Sequence, residues 1–207
     1  MKDKGVYLKI VQEDFMDFEL TNRQKQIRLA AREFAEGELK NIALDCDVKE
    51  ECPKELIKKA AELGLIGVFI KKEHGGLGLG FLDHALILEE FWRVDPGLGQ
   101  ELCSVTFGAE ELLLFGSEEQ KKRYLPPLVK GDWIMGFSIT EPEAGSDTAS
   151  VITKAEKVGD EYVINGNKVM IGNGTMANFI LVFCLTNPEA QSKSRRHSII
   201  IVETDRK

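Results

Sequence analysis

The apolar positions of the chain change their period near residue 133. Upstream they recur at helical spacing. Ile27, Ala31, Phe34, Ala35 and Ile42 line one face of a helix that opens at the Thr21/Gln24 capping pair. A second helix begins at Pro53, carries Ile57, Ala60, Ala61 and Leu63, and closes at Gly64. A third is predicted from about Phe81 to Arg93, with Ala85, Leu86, Leu88 and Phe91 as its apolar positions. A fourth is predicted from about Leu98 to Leu114, ending at Gly116. Ser117 and Gln120 form another capping pair ahead of KKRYLPPLVKG. The glycine-rich EHGGLGLG, residues 73–80, follows no strand and fits no phosphate-loop spacing, so it reads as a flexible interhelical loop.

Downstream of Trp133 the runs are short, β-branched and aromatic: IMGFSIT, EYVING, KVMIG, FILVFCLT and HSIIIVE. Turn residues separate them at 158–161 and at Asn165-Gly166-Asn167, the latter with an Asn-Gly hairpin signature. The predicted class is α+β: an all-α domain over residues 1–132, then an antiparallel, barrel-like β domain over 133–207. Five or six strands are few for a closed barrel, and the last would leave an exposed edge. The β domain therefore reads as incomplete.

Composition narrows the function classes. A net charge of −7, from 27 basic and 34 acidic side chains, argues against a nucleic-acid partner, whose affinity rests on Lys and Arg. No apolar run approaches the ~20 residues a membrane span needs, and the N-terminal MKDKGVYLKIVQEDF has no apolar core for a signal peptide. A cytoplasmic location is expected. Cys46, Cys52, Cys103 and Cys184 show no metal-ligand spacing and read as free thiols, although Cys46 and Cys52 are close enough for a local disulfide. The histidines, His74, His84 and His197, form no zinc pattern, so no metal site is expected.

The stretch FSITEPEAGSDTAS, residues 137–150, breaks a good strand with Pro142 and Gly145 and sets Thr140 and Ser146 around the break. Pro142 fixes φ and removes a donor, and Gly145 permits an approach that a Cβ would block. Two readings stand: a ledge of donors for a flat or anionic ligand, or a decorated β-turn. The basic run Lys193, Arg195, Arg196, His197 is either a solvated loop or a contact for an anionic ligand such as a nucleotide phosphate.

FSITEPEAGSDTAS, followed by GDEYVINGNKVMIGNG, resembles the flavin-binding signature of the acyl-CoA dehydrogenase family. The likeness covers residues 18–204. It implies an N-terminal α domain, a middle β domain and a C-terminal four-helix bundle, with FAD between the last two. It implies α,β-dehydrogenation of an acyl-CoA substrate, in which a glutamate takes the α-proton and hydride passes to the flavin. Electrons then pass to an electron-transferring flavoprotein. By the family pattern Phe137, Ile139 and Thr140 lie along the flavin ring, and Gly145 and Ser146 lie where cofactor and substrate meet. Met170, Ile171 and Gly172 form the second contact. Ser146 and Arg195 are the implied substrate contacts. Met170 stands where the family carries an aromatic residue, and Gly172 where it carries a hydroxyl that bonds the flavin. The acyl tail would end near Gly99, Gln100 and Cys103.

The family's catalytic base lies in the C-terminal domain, so no catalytic residue is assigned here; Glu141 and Asp147 are expected to serve structure. The chain reads as a fragment, or as one half of an assembly with a separately encoded C-terminal part, inactive until completed and forming a homo-oligomer. The alternative is a non-catalytic flavin- or acyl-CoA-binding subunit.

Overall fold

The computed structural model describes residues 18–205, and the N-terminal stretch MKDKGVYLKIVQEDF read above, residues 1–15, lies outside them. Helix α1, Asn22–Phe34, starts where the capping pair predicted. The Gln24 N–H donates to Thr21 Oγ1 at 3.3 Å, and the Thr21 N–H donates to Gln24 Oε1 at 2.9 Å. It runs through one π-helical turn, Ala35–Leu39, into α2, Lys40–Lys49. Helix α3, Lys54–Glu62, follows Pro53, which occupies the capping position just before the first turn. Then come α4, Phe81–Val94, and α5, Pro96–Ser104, whose first turn is capped by Asp95 accepting from the Leu98 N–H at 2.8 Å.

The helix expected over 98–114 is two helices. The chain breaks after Ser104 and restarts as α6, Ala109–Phe115, because Gly108 adopts φ +105, a left-handed conformation that ends regular helix. Helix α7, Glu118–Val129, carries the second capping pair. The 73–80 loop is tightly built, and close approach requires the glycine at 76. A Cβ on Gly76 would lie 2.0 Å from the Ile70 carbonyl oxygen, and the Gly78 N–H donates to that same oxygen at 2.8 Å.

Five strands follow: β1 (Met135–Ser138), β2 (Lys154–Val158), β3 (Glu161–Asn165), β4 (Phe179–Leu185) and β5 (His197–Glu203). The sheet is mixed, which corrects the antiparallel expectation. β4 is central, parallel to β1 over Met135↔Phe179 to Ser138↔Val182 and antiparallel to β5 over Phe179↔Glu203 to Leu185↔His197. β2 joins β4 in parallel only at Lys154↔Leu185, and β2 and β3 form an antiparallel hairpin. That hairpin turns at Gly159-Asp160, between Val158 and Glu161. Asn165-Gly166 is no hairpin turn: a Cβ on Gly166 would lie 2.2 Å from Thr153 Oγ1, so the glycine answers a close approach. KVMIG is not a strand either. The sheet is unclosed, as its strand count implied.

Two cores result. One lies among the helices, around Phe34, Leu39, Ile57, Phe91 and Leu102. The other joins helices to sheet through Ile70, Leu125, Leu128, Met135, Phe179 and Leu181. Tyr124 of α7 donates to Glu203 of β5 at 2.8 Å, and Arg123 also pairs with Glu203. Buried Glu90 of α4 accepts from Arg32 of α1 at 3.0 and 2.7 Å and from Arg93 at 2.9 Å. This ties α1 to α4 within the helical half.

Candidate functional site

β1 delivers the 137–146 stretch to one end of the sheet, and the main chain then folds back on itself. The Glu141 N–H donates to the Ala144 carbonyl at 3.0 Å and the Ala144 N–H returns to Glu141 at 3.2 Å, closing a tight turn over Pro142-Glu143. What holds this turn is the Glu141 side chain, which points into the protein. Its carboxylate accepts from the N–H groups of Ile152 at 2.9 Å and Thr153 at 2.8 Å, and pairs with Lys168 Nζ at 3.0 Å. Burial opposes its ionisation, but Thr153, Ile152 and Lys168 outweigh burial and hold its pKa at about 2.

Lys168 has a second task. Its Nζ donates to the Ile139 carbonyl at 2.7 Å, and the neighbouring Val169 N–H donates to the Thr140 carbonyl at 3.0 Å. The two sequence motifs are thereby laid side by side, 139–140 against 168–169. With the carbonyls of Ile139 and Thr140 taken, the hydroxyls of Thr140 and Ser146 make no hydrogen bond among the described residues. Thr140 is half-buried, whereas Gly145 and Ser146 are exposed. Phe137, half-buried, packs on Phe107 with ring centroids 6.0 Å apart.

Gly145 is the informative position. It does not adopt a left-handed φ, and a Cβ there would meet no atom within 4 Å. The chain's own folding therefore does not require glycine at 145. Met170 is unusual in another way. It sits at φ +58 with 92% of its surface exposed, an apolar side chain at a conformation that costs ~1 kcal/mol or more.

Gly172 lies beside the start of β1, its carbonyl oxygen 3.4 Å from where a Gly136 Cβ would sit. A Cβ on Gly172 itself would meet Ser104 Oγ at 3.4 Å. Buried Ser104 donates to the Gln100 carbonyl and accepts from Gln100 Nε2, each at 2.7 Å. A hydroxyl is thus present next to position 172, supplied by α5. Ile171 is half-buried and its carbonyl accepts from the Gly174 N–H at 3.1 Å.

Arg195 lies elsewhere, exposed in a 3-10 turn, Lys193–Arg195, between β4 and β5. That connection reaches the segment after the ledge through His197 Nε2 and the Val151 carbonyl, 3.1 Å apart. Gly99 is not open space: a Cβ there would lie 2.8 Å from Trp92 Cδ1, which is helix packing of α5 on α4. Sequence reading missed Ser104 and Asn173. Ser104 carried no signal of its own, following Gln100 and Glu101 in a helix of mixed polarity; Asn173 was hidden among the turn residues of IGNG.

The chain matches the acyl-CoA dehydrogenase N-terminal domain over residues 21–132 and the acyl-CoA dehydrogenase middle domain over 136–207. It is 41% identical over 173 residues to the short-chain specific acyl-CoA dehydrogenase of Clostridium acetobutylicum, covering 83% of this chain and 46% of that protein. Among solved structures it superimposes with a TM-score of 0.82, at 37% identity, on a chain from a study of the electron transferring flavoprotein of Acidaminococcus fermentans, covering 92% of this chain and 50% of that one. A glutaryl-CoA dehydrogenase from Mycobacterium smegmatis in complex with FADH2 gives a TM-score of 0.81 at 29% identity, covering 90% and 46%. The chain spans about half the length of the relatives it matches. With both domain families matched in order along the chain, it belongs to the acyl-CoA dehydrogenase family.

Proposed function

We propose that the ledge formed by Phe137, Ile139, Thr140, Gly145 and Ser146, with Met170, Ile171 and Gly172 beside it, holds the ring of FAD. On this reading the chain serves the α,β-dehydrogenation of an acyl-CoA thioester. The observation that carries the reading is the open space at Gly145 next to hydroxyls with no partner among the described residues. A flat ring there would cover Met170, whose thioether suits an aromatic face, and would meet the Thr140 and Ser146 hydroxyls. When bound, FAD supplies the acceptor for the hydrogen that leaves the β-carbon. The chain's own contribution is orientation and fixed donors at the ring edge where charge develops.

Glu141 directly follows Thr140 of the ledge, but a pKa of about 2 makes it a poor base at neutral pH. Its role is to hold the turn. We assign no catalytic base within this chain, and proton abstraction then belongs to residues beyond it. The electron acceptor we propose is an electron-transferring flavoprotein. The assembly is a homo-oligomer or a complex with a C-terminal half, and the compartment is the cytoplasm. Among the described residues no helix is long and apolar enough to cross a membrane.

The test is the visible spectrum of the purified chain, with and without a C-terminal acyl-CoA dehydrogenase half. A yellow complex bleached by an acyl-CoA is expected. A yellow complex that no acyl-CoA bleaches would instead favour a binding subunit, and a colourless folded chain in both conditions refutes the proposal. Gly145→Val sharpens it: with no atom within 4 Å of the new Cβ, folding should be unchanged while FAD retention falls at least ~10-fold, the equivalent of ~1.4 kcal/mol.

A further inference from the structure

The peptide unit joining Ile139 to Thr140 is held at one end only. Its carbonyl oxygen accepts from Lys168 Nζ at 2.7 Å. Its N–H, on Thr140, makes no hydrogen bond among the described residues. No peptide bond among those residues is cis, and in a trans peptide the C=O and N–H point in opposite directions. The Thr140 N–H therefore faces away from Lys168. The hydroxyl of the same residue is likewise unbonded among the described residues and is not sealed from solvent.

A buried ammonium is a demanding way to satisfy one carbonyl. The Lys168 side chain is only 10% exposed. Its other partner, the Glu141 carboxylate at 3.0 Å, already accepts from the Ile152 and Thr153 N–H groups. A neutral donor would serve the Ile139 oxygen, whereas an ammonium adds charge to the bond and makes it roughly twice as strong. Hydrogen bonds in series polarise one another where water is excluded. Electron density drawn toward the Ile139 oxygen leaves the Thr140 N–H a stronger donor.

We propose that Lys168 is a positioning residue of the ledge, acting through the Ile139–Thr140 peptide to strengthen the Thr140 N–H as a donor toward a ligand edge that gains negative charge. This rests on the flavin reading above and deepens it. The ledge favours the reduced ring over the oxidised one, through a side chain that does not itself touch the ring.

The relay is readable without any ligand. Base-catalysed exchange of an amide proton passes through an anion whose charge rests largely on the carbonyl oxygen of the same peptide, and Lys168 is bonded to that oxygen. Lys168→Met should slow exchange of the Thr140 N–H about tenfold, followed by NMR against Gly159 in the remote β2–β3 turn. Lys168→Arg, which keeps the charge, should restore the rate to within about twofold. A merely structural lysine predicts the opposite sign, because loosening opens amides to solvent and speeds exchange. An unchanged or faster rate in Lys168→Met overturns the proposal. Should that variant not fold, Lys168→Gln keeps a donor, drops the charge and carries the same comparison.

The full chain is then titrated with FAD, both oxidised and reduced with dithionite. Lys168→Met should weaken binding of the reduced form about tenfold more than of the oxidised form, a fall of ~30 mV in the two-electron potential. Equal weakening of both forms sinks the proposal and leaves Lys168 a structural residue. Binding of neither form by the wild type removes the flavin reading, and the exchange rates then decide the relay alone.

Discussion

Glu141→Gln removes one charge and almost no volume, yet it should disturb both stability and the site. In the native protein the carboxylate is 4% exposed and takes three contacts: two main-chain N–H groups at 2.9 and 2.8 Å and the Lys168 ammonium at 3.0 Å. A carboxamide has one acceptor oxygen, so its NH2 must face either an N–H or the ammonium, donor against donor. Lys168, only 10% exposed at its side chain, then keeps the Ile139 carbonyl as its remaining contact.

The magnitude follows from linkage. A pKa moved from the ordinary 4.5 to about 2 corresponds to ~3 kcal/mol of stability at pH 7, at 1.36 kcal/mol per unit. Because the folded value is depressed, that stability is fully present above the unfolded value and is lost as pH falls through the folded one. At pH 3, between the two, only ~1 kcal/mol should remain. Urea unfolding followed by far-ultraviolet circular dichroism, on wild type and Glu141→Gln at both pH values, isolates the contribution, because every other carboxylate is common to the pair. The expected gap is ~3 kcal/mol at pH 7, closing to ~1 kcal/mol at pH 3. A gap below ~0.5 kcal/mol at pH 7, the size of an ordinary surface substitution, or one unchanged at pH 3, refutes the account of the turn.

Two further substitutions probe the frame behind the site. Gly76→Ala should cost ~3 kcal/mol or more, because its Cβ would lie 2.0 Å from the Ile70 carbonyl oxygen and backbone must move; thermal unfolding measures it, and a midpoint within a degree of wild type contradicts the packing. Glu90→Gln should destabilise by ~2 kcal/mol, less than for a fully buried pair because Arg32 and Arg93 are 45% and 44% exposed and can be rehydrated. The hydrogen bond from Arg32 leads the depression of the Glu90 pKa, so the difference from wild type should shrink as pH falls below the ordinary carboxylate range, and a difference that grows instead refutes it.

The helical half was legible where caps and period agreed. Thr21 with Gln24, Ser117 with Gln120, and the apolar spacing of α1, α3 and α4 each specify local structure from local residues. The break between α5 and α6 was also written in the chain, as Val105, Thr106 and Gly108, but the apolar residues on both sides masked it. Strand pairing was not legible. Strand residues state which side of a strand is buried and say nothing about the partner, and β1 meets β4 across some forty intervening residues. KVMIG failed as a strand for a related reason: Lys168 and Val169 spend their donors on Ile139 and Thr140 individually instead of entering a ladder. The break in the strand was legible because Pro142 violates strand grammar, and the structure closes it as a tight turn between Glu141 and Ala144. Asn173 was not, since a turn asparagine with a satisfied side chain and one without look alike in sequence.

Neighbouring residues of one motif answer to different constraints. Glu141 and Ala144 are buried and bonded to the protein, so substitution there reads out in folding. Gly145 and Ser146 are exposed and bonded to nothing among the described residues, so substitution there should read out only in ligand binding. Gly172 belongs with the second group: 3.4 Å to Ser104 Oγ is ordinary contact, and a methyl group could stand there. Internal packing therefore does not explain its bareness. The hydroxyl beside it hangs from α5, fastened twice to Gln100. Where a loop hydroxyl would be free to turn toward a ring, this one is committed to its own helix, and the donor left at position 172 is the main-chain N–H.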